Sequence, residues 1–193
     1  MWVVSMVRLA LLFLLAVTAT PGAPVQLIFD PATSEITFSV PTTLHLVHGT
    51  FRLARGAILY NSATGSASGE IVIDATSGDS GNGSRDKRMH SVVLESSRYP
   101  EAVFRIDRVE GERNLKVHGT LTVHGSAHEL TLPVQVSAAR GRIIATGAFS
   151  LPYTAWGMKD ASQFLLKVNP EVQVTLKLIE AMQYQTPTGV RGP

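Results

Sequence analysis

The sequence contains no cysteine and only a small excess of positive charge, and both shortages exclude classes of protein. Without cysteine the chain has neither a disulfide framework nor a lipid-modified amino-terminal cysteine. Its 17 basic and 15 acidic side chains give a formal net charge of +2. So small an excess does not create the positive field that nucleic-acid binding needs, and we therefore expect no nucleic-acid partner.

The one long apolar run lies near the amino terminus. Leu9–Val17 follows the basic Arg8, and small residues come after it. A membrane-spanning helix needs about 20 apolar residues, which is more than this run offers. We therefore predict that residues 1–23 form a secretory signal peptide, cleaved after Ala19 or Ala23, and that no integral membrane span remains after processing. The mature protein is expected to be periplasmic or secreted.

The rest of the chain is a succession of short segments in which apolar and polar residues alternate. The clearest is Val117–Val136, which predicts two strands joined by a turn at residues 125–127, with one apolar face. Strands that are apolar on one face only are typical of antiparallel sheets. The pattern predicts a single all-β domain over residues 24–180. The last residues, 181–193, offer little to bury and are predicted to form a flexible tail.

A two-sheet sandwich and a closed barrel both fit this pattern. Three glycines, Gly49, Gly119 and Gly147, fall at inward positions where strands bend or leave internal space, and they favour a barrel. Eight strands enclose an interior that can hold one small ligand. The alternation fails only over Arg85–Leu94, where we predict one short helix.

Five short motifs occur in an order that resembles a known family. They are Phe29-Asp30-Pro31 with Ser34–Val40, Val47–Phe51, Arg85-Asp86 after a glycine-rich loop, Arg98–Phe104, and Val117–Gly125 with Leu130–Val134. Each motif is weak alone. The ordered set spans Leu27 to Leu178, and on these residues the chain resembles the YceI-like family of exported polyisoprenoid-binding proteins.

The resemblance implies an eight-stranded antiparallel, lipocalin-like barrel with one short helix near Arg85. It also implies an apolar tunnel for a polyisoprenoid, an isoprenoid quinone or a similar lipid, with no catalysis. Two segments, Thr42–Leu46 and Leu151–Phe164, depart from the commoner pattern of the family. We expect both segments near the mouth of the tunnel.

Large apolar residues at inward positions and near the expected mouth are the predicted ligand contacts. They are Phe38, Phe51, Ile73, Met89, Phe104, Leu121, Val123, Phe149, Trp156 and Phe164. The same residue types would also fill a solid core, so the alternation leaves a hollow and a filled interior open. Arg85 and Asp86 are interpreted either as contacts for a ligand head group or as an ion pair that fixes the loop to the barrel.

The six histidines invite a metal-binding interpretation. His118 and His124 share a strand face, but six residues separate them by about 20 Å, too far for one ion. The remaining close pairs, His45 with His48 and His124 with His128, lack a complete ligand set. We therefore predict outward-facing, solvated histidines, with no metal site and no cofactor.

Three functions from different classes fit the sequence. The leading hypothesis is an exported carrier that binds a long apolar ligand inside the barrel. The alternative is a structural or interaction barrel with a filled core, accessory to an envelope stress or redox system. A hydrolase is third, because Gly78–Gly81 is similar to the nucleophile loop of trypsin-like proteases but lacks that fold's histidine segment and disulfides. The sequence is compatible with both a monomer and a homodimer.

The predicted signal peptide has a direct test. We expect the exported protein to begin at Thr20 or Pro24, because small residues precede each of these positions. Amino-terminal sequencing of exported protein measures this, and an exported chain that still begins with Met1 would contradict the prediction.

Overall fold

A computed structural model describes residues 24–61, 63–112 and 114–181. The predicted signal peptide, and all of the predicted tail except Ala181, lie outside the described residues. The elements in chain order are β1 (Val25–Ile28), β2 (Glu35–Pro41), β3 (Leu46–Tyr60), β4 (Ala67–Asp79), α1 (Gly83–Arg88), a π-helical turn (Met89–Val93), β5 (Glu101–Glu110), β6 (Asn114–Val123), β7 (Ser126–Ala139), β8 (Arg142–Leu151) and β9 (Val172–Ile179).

Strands β2 to β9 form a closed antiparallel barrel. Each strand from β3 to β8 pairs with the next in the chain, and the pairing of β2 with both β3 and β9 closes the ring. Strand β3 is long enough for one of its edges to pair with β2 over Leu46–Phe51 and with β1 over Ala57–Tyr60. The predicted eight-stranded antiparallel barrel with one short helix is therefore confirmed.

Alternation along the strands builds the interior. In β2, Ile36, Phe38 and Val40 are buried, whereas Glu35 and Thr37 are exposed. Strand β9 repeats the pattern, since every second residue from Val174 to Leu178 is buried. Because successive side chains of a strand point to opposite faces, the buried set of each strand faces the inside of the barrel.

The predicted helix is present, but it is divided into two short parts. Helix α1 begins after Asn82, whose side-chain Oδ1 accepts a hydrogen bond from the Arg85 backbone N–H at 3.0 Å. Such a cap satisfies a donor that the first turn leaves unpaired. A π-helical turn follows, and the ring of His90 bonds the Gly78 carbonyl oxygen at 2.8 Å and the Ser96 hydroxyl at 3.0 Å. These bonds fix the turn against the end of β4.

The half of the barrel away from α1 is filled by a hydrophobic core. Its buried members share inward positions on neighbouring strands and include Phe29, Ile36, Leu53, Ile71, Phe104, Ile106, Val117, Leu121, Leu132, Leu176 and Leu178. Close packing of this kind leaves little space for a ligand. In this half, therefore, the interior is a solid core.

The inward glycines accommodate side chains, so the expectation that they leave internal space was wrong. A Cβ atom added to Gly49 would collide with the Phe38 ring, and one added to Gly119 would lie 2.8 Å from the Phe104 ring. At Gly147 an added Cβ would lie 3.0 Å from a carbonyl oxygen. A missing Cβ at these positions allows a neighbouring ring or strand to approach the backbone closely.

We expect Gly119→Ala to lower the free energy of unfolding by about 1–3 kcal/mol, the usual cost of overpacking. The new methyl group would meet both the Phe104 ring and the backbone oxygen of Arg105, and the backbone cannot move aside cheaply. Gly83→Ala is the matched control, because nothing lies within 4 Å of its added Cβ. Urea denaturation of both variants measures the difference, and equal stabilities would contradict the prediction.

Candidate functional site

A cavity of about 400 Å³ occupies the half of the barrel next to α1. Strand residues form most of its wall, namely Phe38, Val40, Val47, Phe51, Val123, Leu151, Val172 and Val174. Two residues of the π-helical turn, Met89 and Val93, also belong to the apolar lining. The volume lies within the range of sites that enclose small molecules.

Aromatic rings form the border between the cavity and the filled half. The ring centroids of Phe38 and Phe51 lie 5.4 Å apart with the rings tilted by 45°. Phe38 belongs to a small buried cluster with Val40 and Val47, whereas Phe51 packs against both this cluster and the main core. Both rings also line the cavity, so they lie where it meets the packed part of the interior.

The loop between β8 and β9 forms a side wall of the cavity and is held in place by Tyr153. The Tyr153 side chain is buried, and its hydroxyl accepts a hydrogen bond from the Ala161 backbone N–H at 3.2 Å. Burial raises the pKa of this hydroxyl. The Ser162 backbone N–H, bonded to the Asp160 carboxylate at 2.8 Å, lowers the pKa of that acid. The loop thus places the buried Tyr153 phenol in the wall of the cavity and the Asp160 carboxylate at the protein surface.

Two loops meet at the mouth of the cavity. Thr42 forms an isolated β-bridge with Val168, and the Thr43 backbone N–H donates to the Lys167 carbonyl oxygen at 3.0 Å. Residues of both loops line the cavity, among them His45 and Gln163. Both segments that depart from the commoner family pattern therefore contribute residues to the lining of the cavity, and a place at the mouth of a ligand tunnel stays a prediction.

Polar groups of the lining are concentrated around α1. The Ser80 hydroxyl lies 2.5 Å from Asp86 Oδ1 and accepts a bond from Arg85 Nε at 2.7 Å. Arg85 Nη2 also donates to the Ser80 carbonyl oxygen at 3.0 Å. Ser80 and Arg85 line the cavity, whereas Asp86 does not. Asp86 therefore fixes the loop through Ser80, and no direct Arg85–Asp86 ion pair forms.

Four of the ten predicted ligand contacts line this cavity, namely Phe38, Phe51, Met89 and Val123. Phe104 and Leu121 belong to the main core, and Ile73 and Phe149 pack against it. The Trp156 ring packs against the same core and stacks on His128, with ring centroids 4.1 Å apart. Phe164 is 95% exposed at the tip of the β8–β9 loop. Contact with a ligand stays a prediction for all ten residues.

The sequence analysis missed several lining residues that lie outside the strands. Tyr153, Met158, Leu166 and Val168 come from the β8–β9 loop, and Arg88 comes from α1. No alternation marks a residue of an irregular loop as inward, so the pattern gave no signal for the loop residues. For Arg88 a signal was present, because residues with the spacing of Arg85, Arg88 and Met89 lie on one side of the predicted helix.

Four of the six histidines that were expected to be solvated are half-buried, namely His90, His118, His124 and His128. His124 Nε2 lies 3.0 Å from a carboxylate oxygen of Glu95, and its ring packs against Tyr99 at a centroid distance of 4.6 Å. His128 Nε2 is buried beside Trp156. Both residues therefore serve packing, which the alternation did not reveal. No group of three or more potential metal ligands occurs among the described residues.

No helix in the described part of the chain is both long and apolar enough to cross a membrane.

Comparisons with solved structures place the fold among known proteins. Burkholderia cenocepacia BcnA superposes with a TM-score of 0.69 at 23% identity, covering 78% of this chain and 98% of that chain. A polyisoprenoid binding domain from Saccharophagus degradans, implicated in plant cell wall breakdown, gives a TM-score of 0.61 at 18% identity, with 79% and 96% covered. At these identities the comparisons show the fold alone.

Comparisons of sequence identify the family. A UPF0312 protein of Vibrio parahaemolyticus is 35% identical over 72 residues, which are 36% of this chain and 38% of that relative. The chain thus matches well under half the length of this curated relative. The model of the YceI-like domain matches residues 28–179, nearly the whole barrel. The chain therefore belongs to the YceI-like family.

Proposed function

We propose that the protein is an exported carrier that holds a long apolar ligand, such as a polyisoprenoid, an isoprenoid quinone or a similar lipid, inside the barrel. The observation that carries the proposal is the cavity beside α1, whose walls are almost entirely apolar. Burial of apolar surface contributes roughly 25 cal/mol per Å², so a few hundred Å² of ligand supply several kcal/mol without a charged contact. Shape and a few polar groups then supply selectivity.

Two further observations support this function. The barrel is similar to a polyisoprenoid binding domain from Saccharophagus degradans, and a polyisoprenoid is an apolar chain. The apolar run at Leu9–Val17 supports export, and the proposed location is the periplasm or the outside of the cell. Because the cavity holds only about 400 Å³ and Phe38 and Phe51 border it, we propose that only part of a long chain enters and that the rest emerges at the mouth.

The second candidate function, a structural or interaction barrel, is favoured by the solid core that fills the other half of the interior. Mass spectrometry of an organic-solvent extract of the native protein separates the two functions. A carrier is expected to yield an apolar molecule in near-equal molar amount with the protein. A clean extract, together with no binding of added isoprenoid, would favour the structural barrel.

We expect Val123→Trp and Leu121→Trp to behave differently, although both residues face inward on β6. Val123 lines the cavity, so the indole of a tryptophan at this position can project into open space. It should exclude the ligand with a small loss of stability. Leu121 is buried in the main core and does not line the cavity, so a larger ring there should cost about 1–3 kcal/mol or more. Melting curves and lipid extraction on the same preparations measure both effects. Equal destabilisation of the two variants would contradict the proposed cavity.

We propose that the site is not catalytic, because the Ser80 hydroxyl lacks a histidine base. Among the described residues, its side-chain partners are the Asp86 carboxylate and the Arg85 guanidinium. These bonds give the hydroxyl a structural role, fixing the loop after β4 to α1. In the trypsin-like arrangement a histidine stands between the serine and the carboxylate, whereas here the Ser80 hydroxyl donates directly to the Asp86 carboxylate.

Ser80→Ala is expected to lower the free energy of unfolding by about 1–3 kcal/mol, since it removes hydrogen bonds to two charged groups. Ser84→Ala, at an exposed residue of the same lining, is the matched control and should change stability little. A fluorophosphonate probe should leave Ser80 unlabelled in the wild-type protein. Stoichiometric labelling of Ser80 would overturn the non-catalytic interpretation.

A further inference from the structure

The lining of the cavity is strongly asymmetric in charge. Its two charged side chains are Arg85 and Arg88, and no Asp or Glu of the described residues lines it. The other lining residues are apolar or neutral, apart from His45 at the mouth. A cation beside apolar surface is costly when a ligand displaces its water, unless an opposite charge replaces that water. The site is thus better suited to an anion than to a neutral polar group.

The two arginines are close enough to act together. They are three residues apart on α1, a spacing that places their Cβ atoms about 5–6 Å from each other on one side of a helix. Both residues are half-buried and face the same cavity. Guanidinium groups bind carboxylates and phosphates through paired N–H donors, so one head group of that size can contact both.

Neither arginine forms a salt bridge with Asp or Glu in the part of the chain that the structure describes. Arg88 makes two long bonds to backbone oxygens, to Ala161 at 3.4 Å and to Ser162 at 3.3 Å. Arg85 uses Nε and Nη2 on Ser80, whose hydroxyl stands between it and the nearby Asp86. Donors of both guanidinium groups therefore remain available to a ligand.

We propose that the ligand is a long-chain anion whose phosphate or carboxylate head lies between Arg85 and Arg88 while its apolar chain fills the cavity. This inference rests on the proposed carrier function and names the class of its ligand. A neutral quinone or alcohol would leave both charges unpaired, because its chain would displace water from the mouth of the cavity without supplying an opposite charge. An anion gains charge-assisted hydrogen bonds there, so the arginines select for the head group and the cavity selects for the chain.

The test compares ligands that share a chain and differ in the head group. Delipidated protein is titrated by calorimetry with farnesyl phosphate and farnesol, and separately with hexadecanoate and hexadecan-1-ol. The wild type is expected to bind the matching anion at least about tenfold more tightly than the alcohol, because hydrogen bonds to charged groups are worth that factor or more. The pair that shows the larger preference tells whether phosphate or carboxylate is the natural head.

The variant that tests the arginines is Arg88→Gln, with Lys87→Gln as its matched control. Lys87 carries the same charge on the same helix, but it is exposed and does not line the cavity. Arg88→Gln should lower anion affinity about tenfold and leave the affinity for the alcohol unchanged, whereas Lys87→Gln should keep the preference. Arg88→Lys, which keeps the charge and loses the planar donor pair, is expected to fall between them. Melting curves establish that each variant is folded.

Two results would overturn the inference in distinguishable ways. If wild-type protein binds the alcohols as tightly as the anions, the head-group inference fails while the carrier function stands. If it binds none of the four probes, the carrier function fails as well. An equal loss of preference in Lys87→Gln and Arg88→Gln would also overturn the assignment, because the effect would then come from general surface charge.

Discussion

The width of a closed eight-stranded barrel is the constraint on which the rest of the structure depends. Such an interior is just wide enough for side chains to fill, so the size of each inward residue decides whether space remains. In one half, the Phe104 ring packs against Gly119 and the core is solid. In the other half, the inward strand residues are mostly valines, and the cavity begins where they replace the rings: Val40, Val47, Val123, Val172 and Val174.

The same constraint explains why the loops matter for the site. A barrel that is open at one end needs a cover if the cavity is to stay apolar, and here α1, the π-helical turn and the β8–β9 loop provide it. The cover is held by a few specific hydrogen bonds, those of Tyr153, His90 and Ser80. No Asp or Glu of the described residues joins this lining, so Arg85 and Arg88 are its charged part.

The sequence predicted which face of a strand points inward, but not how deep along the barrel a residue lies. Phe104 and Val123 both fall on inward positions and both are buried in the main core, yet only Val123 also lines the cavity. The alternation has a period of two residues and carries no information on position along the barrel axis. For residues outside the strands, such as Trp156 and Phe164, not even the face was predictable.

The sequence by itself determined the antiparallel all-β fold, the short helix and the family, because alternation and ordered motifs are local properties of the chain. Tertiary structure alone decided which half of the interior is filled, because that depends on rings and glycines from different strands meeting in space, as at Phe104 and Gly119. It also decided that Met158 of a loop and Arg88 of the helix join one lining. Residues distant in the chain become neighbours there only because the barrel closes.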